Sequence, residues 1–315
     1  MKKILAIAVA TAIAAPAMAD MTISGTVAVG YSATDATVAA TTWTAAAPTT
    51  PTAAATYGDA GFGVDTATII ISGSETLENG MTVAATMGVG GLARGASVGG
   101  KDAGLTVSGD FGSVAVKAVE AGNGVFAYGS SVAEDFTGEL AAAAANVDSI
   151  SYTAPAMGIA TVKIGYSETV GLGLGQDSAF SPDVNVALAF SDALSGFVNY
   201  KTCASDDTCK DRVRVGAKYD AGSVIVSAAM GENNNKAADV TNTVVGITVP
   251  MGATTLGANI GNTDGGTAAT DRDAWSVGVK HALSSNLSVS AKYTTYDLNA
   301  TADVTKSSVL MSLSF

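Results

Sequence analysis

The chain has 315 residues, with 16 Lys and Arg against 28 Asp and Glu, which gives a formal net charge of −12 at pH 7. This acidic balance disfavours binding to nucleic acid, and we expect no nucleic-acid partner. Glycine is abundant, with 36 residues, proline is scarce, with 6, and charged residues make up only 14% of the chain. Long amphipathic helices rich in Leu, Glu and Lys are absent, which argues against a helical bundle.

The chain begins with MKKILAIAVATAIAAPAMAD, the pattern of a secretory signal peptide. Lys2 and Lys3 precede an apolar run that is broken by Pro16 and closed by small residues, as at a cleavage site. We assign 1–19 to the signal peptide and start the mature chain at Asp20; a buried N-terminal helix is the alternative. No later stretch reaches the roughly 18 continuous apolar residues of a membrane-spanning helix, so export leaves a soluble exported protein or an outer-membrane barrel.

From Asp20 onward, polar and apolar residues alternate in segments of about ten residues, which is the pattern of transmembrane β-strands. We predict about sixteen strands, at 21–34, 66–76, 81–89, 103–110, 113–120, 148–155, 160–170, 183–191, 197–203, 210–220, 223–231, 240–250, 253–262, 272–283, 287–297 and 306–315. Short links rich in Gly, Asn, Asp and Ser alternate with long links at 35–65, 90–102, 121–147, 171–182, 203–209, 232–239, 263–271 and 298–305. We therefore predict an all-β fold, a transmembrane antiparallel β-barrel over 20–315, with the short turns at the periplasmic rim.

Individual predicted strands separate basic from apolar residues. In KDRVRVGAKYD, Arg212, Arg214 and Lys218 share one face, while Val213 and Val215 share the other. A soluble β-sandwich would alternate in the same way. About sixteen strands in one exported unit, joined by alternating short and long links, favour a closed barrel instead.

The chain ends SSVLMSLSF, with Val309, Met311, Leu313 and Phe315 on one face. We expect this segment to close the barrel and to turn these side chains toward lipid or a neighbouring subunit. Phe315 would then serve as a C-terminal barrel signal at the membrane interface. An ordinary edge strand that ends in Phe by chance is the alternative.

The chain resembles the Gram-negative trimeric general porins in its signal peptide, its terminal Phe315 and its hairpins TIIISGSETLENGMTVAATM and GDFGSVAVKAV. The segment SGSETLENGMTV is similar to that family's second hairpin, and DFGSVAVKA to the turn between its fourth and fifth strands. The resemblance implies an outer-membrane homotrimer surrounded by lipid, with a water-filled pore for passive diffusion of small hydrophilic solutes and ions. It also implies that the third long loop folds into the lumen and narrows it.

The third long link, 121–147, is therefore the expected constriction loop. Its acidic residues are Glu134, Asp135 and Glu139, with Asp148 at its end. Basic residues expected on the inner wall are Lys117, Lys163, Arg214 and Lys292 near mid-height, and Arg212 and Lys201 nearer the outer mouth. Opposed charges across a narrow channel create a transverse field that favours small polar solutes. Ordinary solvated wall residues are the alternative.

Other functions have weaker support in the sequence. A structural or adhesive barrel with a closed lumen is the alternative, because inner faces rich in Ala and Gly do not define a pore width. His281 is the only histidine, and no Ser and acid pair accompanies it on its face, so we expect no enzymatic activity.

Cys203 and Cys209 flank ASDDT in a predicted outer loop. In an oxidising compartment we expect them to form a disulfide. Asp206, Asp207 and Asp211 beside them could hold Ca²⁺ in this outer loop, yet they lack the spacing of a calcium-binding loop. We otherwise expect no cofactor.

The outward positions of predicted strands two to five carry small and branched apolar residues and no Tyr or Trp. Later strands carry outward aromatic residues, which are Tyr152, Tyr166, Phe190, Tyr200, Tyr219, Trp275 and Tyr293. A wall without such interfacial anchors suits packing against another protein. We expect a homotrimer joined through strands one to five and sixteen; a chance shortage of aromatic residues is the alternative.

Overall fold

The computed structural model describes residues 20–38, 55–91, 98–119, 124–134, 136, 140, 147–169, 180–202, 211–232, 240–265, 271–299 and 302–315. The predicted signal peptide, 1–19, lies outside this part of the chain. Among the described residues, no helix has both the length and the apolar character needed to cross a membrane.

The described chain forms sixteen β-strands and one short 3-10 helix at Phe126–Tyr128. The strands are β1 (Asp20–Val38), β2 (Ala55–Thr76), β3 (Thr82–Gly90), β4 (Gly99–Gly109), β5 (Gly112–Val119), β6 (Val147–Thr153), β7 (Ala160–Thr169), β8 (Phe180–Ala189), β9 (Leu194–Lys201), β10 (Arg212–Asp220), β11 (Ile225–Glu232), β12 (Thr241–Met251), β13 (Thr254–Asp264), β14 (Arg272–Ala282), β15 (Leu287–Asn299) and β16 (Ala302–Ser314). Each strand pairs with its neighbours in sequence, and β16 pairs with β1, so the sheet closes. The predicted antiparallel barrel is confirmed, and every predicted strand has a counterpart.

The barrel closes where the two ends of the described chain meet. The N–H of Gly25 donates to the carbonyl of Phe315 over 2.9 Å, and the N–H of Phe315 donates back over 3.1 Å. From there β1 and β16 stay paired from Thr26 and Ser314 up to Val38 and Ala302. Closure satisfies the backbone groups that an open sheet edge would expose to lipid.

The two faces of the wall differ in polarity, as alternation predicts. On β16, the side chains of Val309, Met311 and Leu313 are exposed on the outer surface. On the inner face, Ser276 and Thr294 are covered completely or nearly so. An apolar outer surface around a polar interior is the arrangement of a barrel that sits in a membrane.

Short turns connect the strands at one rim, where both ends of the described barrel also lie. Several of these turns contain a glycine with a positive φ, such as Gly80 at 81° and Gly252 at 63°, a conformation that other residues adopt only with strain. The opposite rim carries the long links. The predicted alternation of short and long connections holds except at 298–305, where β15 extends to Asn299 and β16 begins at Ala302, so that most of this predicted long link is strand.

The first hairpin differs from the prediction, which placed a long link at 35–65. In the structure β1 continues to Val38 and β2 begins at Ala55, so both ends of that predicted link are strand, while 39–54 lie outside the described residues. The segment lacks large alternating apolar residues, but backbone pairing between β1 and β2 satisfies its hydrogen bonds. A β-bulge leaves Asp65 as the unpaired residue of β2.

Asp148 also differs from its predicted place beside the acids of the third loop. It lies on β6, opposite Ala118 of β5, while the neighbouring Ser149 pairs with the inner-face residue Lys117. Because side chains alternate along a strand, Asp148 is on the outer face and takes no part in lining the lumen. The prediction counts Asp148 with the loop acids although it lies within the predicted strand, where its parity opposite to Ser149 already assigns it to the outer face.

Candidate functional site

The third long link, between β5 and β6, folds into the barrel. Its residues Val125, Phe126 and Phe136 are completely buried and pack with Val244 and Tyr296 of the inner wall. The rings of Phe126 and Phe136 meet edge to face, with their centroids 6.0 Å apart. This apolar cluster fixes the loop against one side of the lumen, and the predicted inward fold of the third loop is confirmed.

Polar contacts align the loop along β13 and β14. Asn259 accepts a hydrogen bond from the N–H of Ser130 over 2.6 Å and donates from Nδ2 to the carbonyls of Ser130 and Glu134 over 3.0 and 2.9 Å. The hydroxyl of Ser276 also donates to the Glu134 carbonyl, over 2.9 Å. Because these inner-face groups are buried, their pairing with the loop backbone holds it at one height in the barrel.

Glycines on the inner face give the loop room to lie close to the wall. At Gly257 an added Cβ would lie 2.8 Å from the side chain of Val132, and at Gly278 it would lie 2.9 Å from the Val132 carbonyl carbon. We call the four inner-face glycines in contact with the loop the glycine seat: Gly246, Gly257, Gly261 and Gly278. Side chains at these positions would push the loop toward the pore axis.

Glu134 lies at the point where the loop reaches β15. Its Oε2 is 3.1 Å from Nζ of Lys292, and both side chains remain about one-third exposed, at 37% and 29%. Glu134 and Lys292, which the sequence analysis expected on opposite sides of a narrow channel, therefore form an ion pair at one wall of the lumen.

A polar chamber of about 340 Å³ lies beside this ion pair, along the adjacent strands β15, β16, β1 and β2. It is lined mainly by Ser32, Thr34, Asp65, Glu134, Lys292, Thr294, Lys306 and Ser308. Sequence reasoning missed Asp65, which it placed in a link, and Lys306. Lys306 lies two residues before the inner-face Ser308 on the same strand, so the alternation of side chains could have identified it as an inner-face residue.

The other predicted basic residues occupy the inner face away from the loop tip. Lys117 opposes Ser149 and lies over Gly104, and Lys163 opposes Asn185. Arg212 and Arg214 follow each other on the inner face of β10, next to Lys201 of β9. The structure thus brings Lys292 to the loop acid and leaves the remaining bases along the wall.

Several predicted site residues lie outside the described part of the chain. These are the loop acids Asp135 and Glu139, and Cys203 and Cys209 of the expected disulfide. Phe315 is described, and its side chain lies on the outer surface beside Gly25.

The sequence matches the profile of the Gram-negative porin family over residues 6–301. The chain belongs to this family. A triply substituted Rhodopseudomonas blastica porin shares its fold with a TM-score of 0.65 and 16% identity, over 94% of this chain and 100% of the other. The anion-selective porin from Comamonas acidovorans has a TM-score of 0.69 and 15% identity, with the same coverage. No protein in the curated set has a matching sequence.

Family and fold place this porin in the outer membrane of a Gram-negative bacterium, where it is a channel protein. A closed structural or adhesive barrel is not favoured. The short-turn rim then faces the periplasm and the long-loop rim the exterior, as in other outer-membrane barrels.

Proposed function

We propose that this porin lets ions and small hydrophilic solutes diffuse passively through a constriction formed by the third loop. The observation that carries the proposal is the attachment of the loop's described residues to the inner wall through the apolar cluster, the bonds of Asn259 and the glycine seat. The polar chamber beside Glu134 and Lys292 supplies the path.

In this proposal the charged residues orient water and solutes at the constriction. Glu134 contributes the negative charge described on the loop, and Lys292 contributes a positive charge beside it. Lys117, Lys163, Arg212 and Arg214 line the remaining wall as basic residues. A field across a narrow pore with low-dielectric walls favours small polar molecules over apolar ones.

Liposome swelling tests this function. Purified protein in liposomes should admit neutral sugars at rates that fall steeply as sugar size increases, because the loop limits the width of the pore. Heat-modified gel mobility verifies that the barrel has folded, and flotation with the liposomes verifies that it has inserted. Swelling no faster than in protein-free liposomes, with insertion verified, would contradict the proposal.

The same proposal includes assembly as a homotrimer within outer-membrane lipid. The outer faces of β2 to β5 support it. Their exposed side chains include Ile69, Ile71, Leu105 and Val116. Among the described side chains of these strands, no Tyr or Trp faces outward. Phe62, which the sequence prediction left in a link, extends this surface. It is 83% exposed, and its ring contacts Tyr31 of β1 with centroids 5.2 Å apart.

The proposed role is transport alone and includes neither catalysis nor a cofactor. It rests on the family and the fold, which are those of channel proteins. His281, the only histidine, lies 2.8 Å from the Thr254 hydroxyl through Nδ1. We assign this pair a local structural role near the short-turn rim.

A further inference from the structure

Charge is divided unequally between the two faces of the barrel. Every Lys and Arg that the structure describes shares the inner-face register, which includes Lys101, Lys117, Lys163, Lys201, Arg212, Arg214, Lys218, Arg272, Lys280, Lys292 and Lys306. Several acids instead have the opposite parity and lie on the outer face, namely Asp35, Asp148, Asp273, Asp297 and Asp303. The inner face also carries acids, among them Asp59, Asp65, Asp183 and Glu134, but fewer than these eleven bases among the described residues. The described lumen is therefore more basic than the net charge of −12 suggests.

The sign of the charge on the inner wall matters more for ion permeation than the net charge of the whole protein. Charges on the outer surface are screened within about 8–10 Å at physiological ionic strength. Charges that face a pore with low-dielectric walls concentrate counter-ions along its axis. An acidic protein with a basic inner wall therefore favours anions in its channel.

Three of the inner-face cations form a compact group, which we call the β9–β10 basic cluster: Lys201, Arg212 and Arg214. Lys201 and Arg212 are direct cross-strand partners, and Arg214 follows on the same face of β10. Two residues along a strand span about 6.6 Å, so all three charges lie within reach of one small ligand. The stem of Arg214 lies over Gly231, whose missing side chain makes room for it.

This arrangement is electrostatically costly without a ligand. Like charges directly opposite each other on paired strands destabilise a sheet. The Nε atoms of Arg212 and Arg214 are buried and have no hydrogen-bond partner among the described residues. Asp183, opposite Lys201 on β8, brings one negative charge to the three cations, while Lys201 itself donates to the Ser167 hydroxyl over 2.7 Å.

We propose, building on the channel function proposed above, that this porin prefers anions and that the β9–β10 basic cluster binds a small multivalent oxyanion of the phosphate class. Guanidinium groups bind phosphate oxygens in pairs and with defined geometry. Two guanidinium groups with an ammonium group beside them match a tetrahedral dianion better than they match chloride. The cluster lies on the long-loop side of Lys218 on the same strand, so an anion entering from the exterior reaches it before the short-turn rim.

Reversal potentials across planar bilayers test the preference. In a KCl gradient, the wild-type channel should be more permeable to chloride than to potassium. Inorganic phosphate added on the long-loop side should then reduce the chloride current in a saturable way. A channel that is more permeable to potassium than to chloride, or a chloride current that phosphate does not reduce, would overturn this inference and leave the channel function intact. A bilayer that shows no current after verified insertion would overturn the channel function itself.

A pair of matched double variants locates the site. Arg212→Gln with Arg214→Gln should raise the phosphate concentration for half-block by about tenfold or more, because hydrogen bonds from charged groups are lost. Lys218→Gln with Lys280→Gln removes the same number of inner-face charges nearer the periplasm and should leave that concentration within about twofold. Equal effects of the two double variants would overturn the assignment of the cluster, and unchanged heat-modified mobility would show that both barrels had folded.

Discussion

Nζ of Lys292 donates a hydrogen bond to Oε2 of Glu134 over 3.1 Å, which joins the barrel wall to the tip of the third loop. The carbonyl of the same Glu134 accepts hydrogen bonds from Asn259 and Ser276. One loop residue is thus fixed through its backbone and presents its charge to the lumen through its side chain. Loop position and pore charge can therefore be altered separately.

The first prediction concerns pore charge. Glu134→Gln should shift the reversal potential toward anions, because it removes the loop's negative charge beside Lys292, and Lys292→Gln should shift it the opposite way. Since both side chains are partly exposed, the pair contributes no more than about 1 kcal/mol to stability, and assembly should be unchanged. Shifts of the same sign for both variants would contradict this account.

The second prediction concerns the glycine seat. Gly278→Val places a side chain against the backbone of Val132, so the loop should be displaced from the wall and the single-channel conductance should change. Gly100→Val is the control, because an added Cβ there meets nothing within 4 Å. An unchanged conductance in Gly278→Val, with a folded barrel, would mean that the loop does not rest on this surface.

The third prediction concerns loop mobility. Asn259→Leu keeps the volume but removes the bonds of Asn259 to the Ser130 N–H and carbonyl, at a cost of about 1–3 kcal/mol for each group left unpaired. The Glu134 carbonyl keeps only its bond from Ser276. Open-channel current noise should increase, and amide hydrogen exchange in 130–134 should accelerate. Asn262→Leu, whose amide instead bonds Asp273 at 2.8 Å on the outer face, should change neither. Similar noise in both variants would rule out this role of Asn259.

The fourth prediction concerns assembly. Val116→Arg or Val83→Arg, on the proposed interface, should convert the trimer to a folded monomer on unheated gels and in cross-linking. Val215→Arg introduces the same charge on the outer face of β10, away from that interface, and should remain trimeric. Trimers in all three variants would place the interface elsewhere, and a wild-type protein that runs only as a monomer would refute the assembly.

The fifth prediction concerns Cys203 and Cys209. Thiol alkylation of the unfolded protein should label neither cysteine before reduction and both after it, because an exported loop encounters oxidising conditions. Labelling without reductant would show that the thiols are free.

The barrel itself could be predicted from the sequence because each strand repeats a period of two, as in Arg212, Val213 and Arg214. A residue's face then follows from its parity, and this places Lys292 inside and Val309 outside. Parity gives no information about partners across the lumen. The contact between Glu134 and Lys292 depends on how far the loop travels along the wall, which no local pattern encodes.

The parts that the sequence did not predict have physical explanations. The upper halves of β1 and β2 are rich in Thr, Ala and Gly, which show little alternation between polar and apolar residues. Backbone pairing between the two strands holds them in place instead. The sequence shows glycine at inner-face positions of β12 to β14, such as Gly257 and Gly278. That these glycines contact the third loop could not be predicted without knowing where the loop lies. Asp65 faces the polar chamber only because a bulge displaces it from the register of β2.

Single-channel recording in planar bilayers tests the central claim most directly, namely that the barrel is an open pore narrowed by an inserted loop. The wild-type protein should give discrete, ohmic conductance steps that grow in proportion to salt concentration, as expected for a water-filled path. Deleting 125–145 should raise the step size, because the loop no longer occupies the lumen. A sealed bilayer after verified insertion, or a deletion variant with the wild-type conductance, would contradict the account.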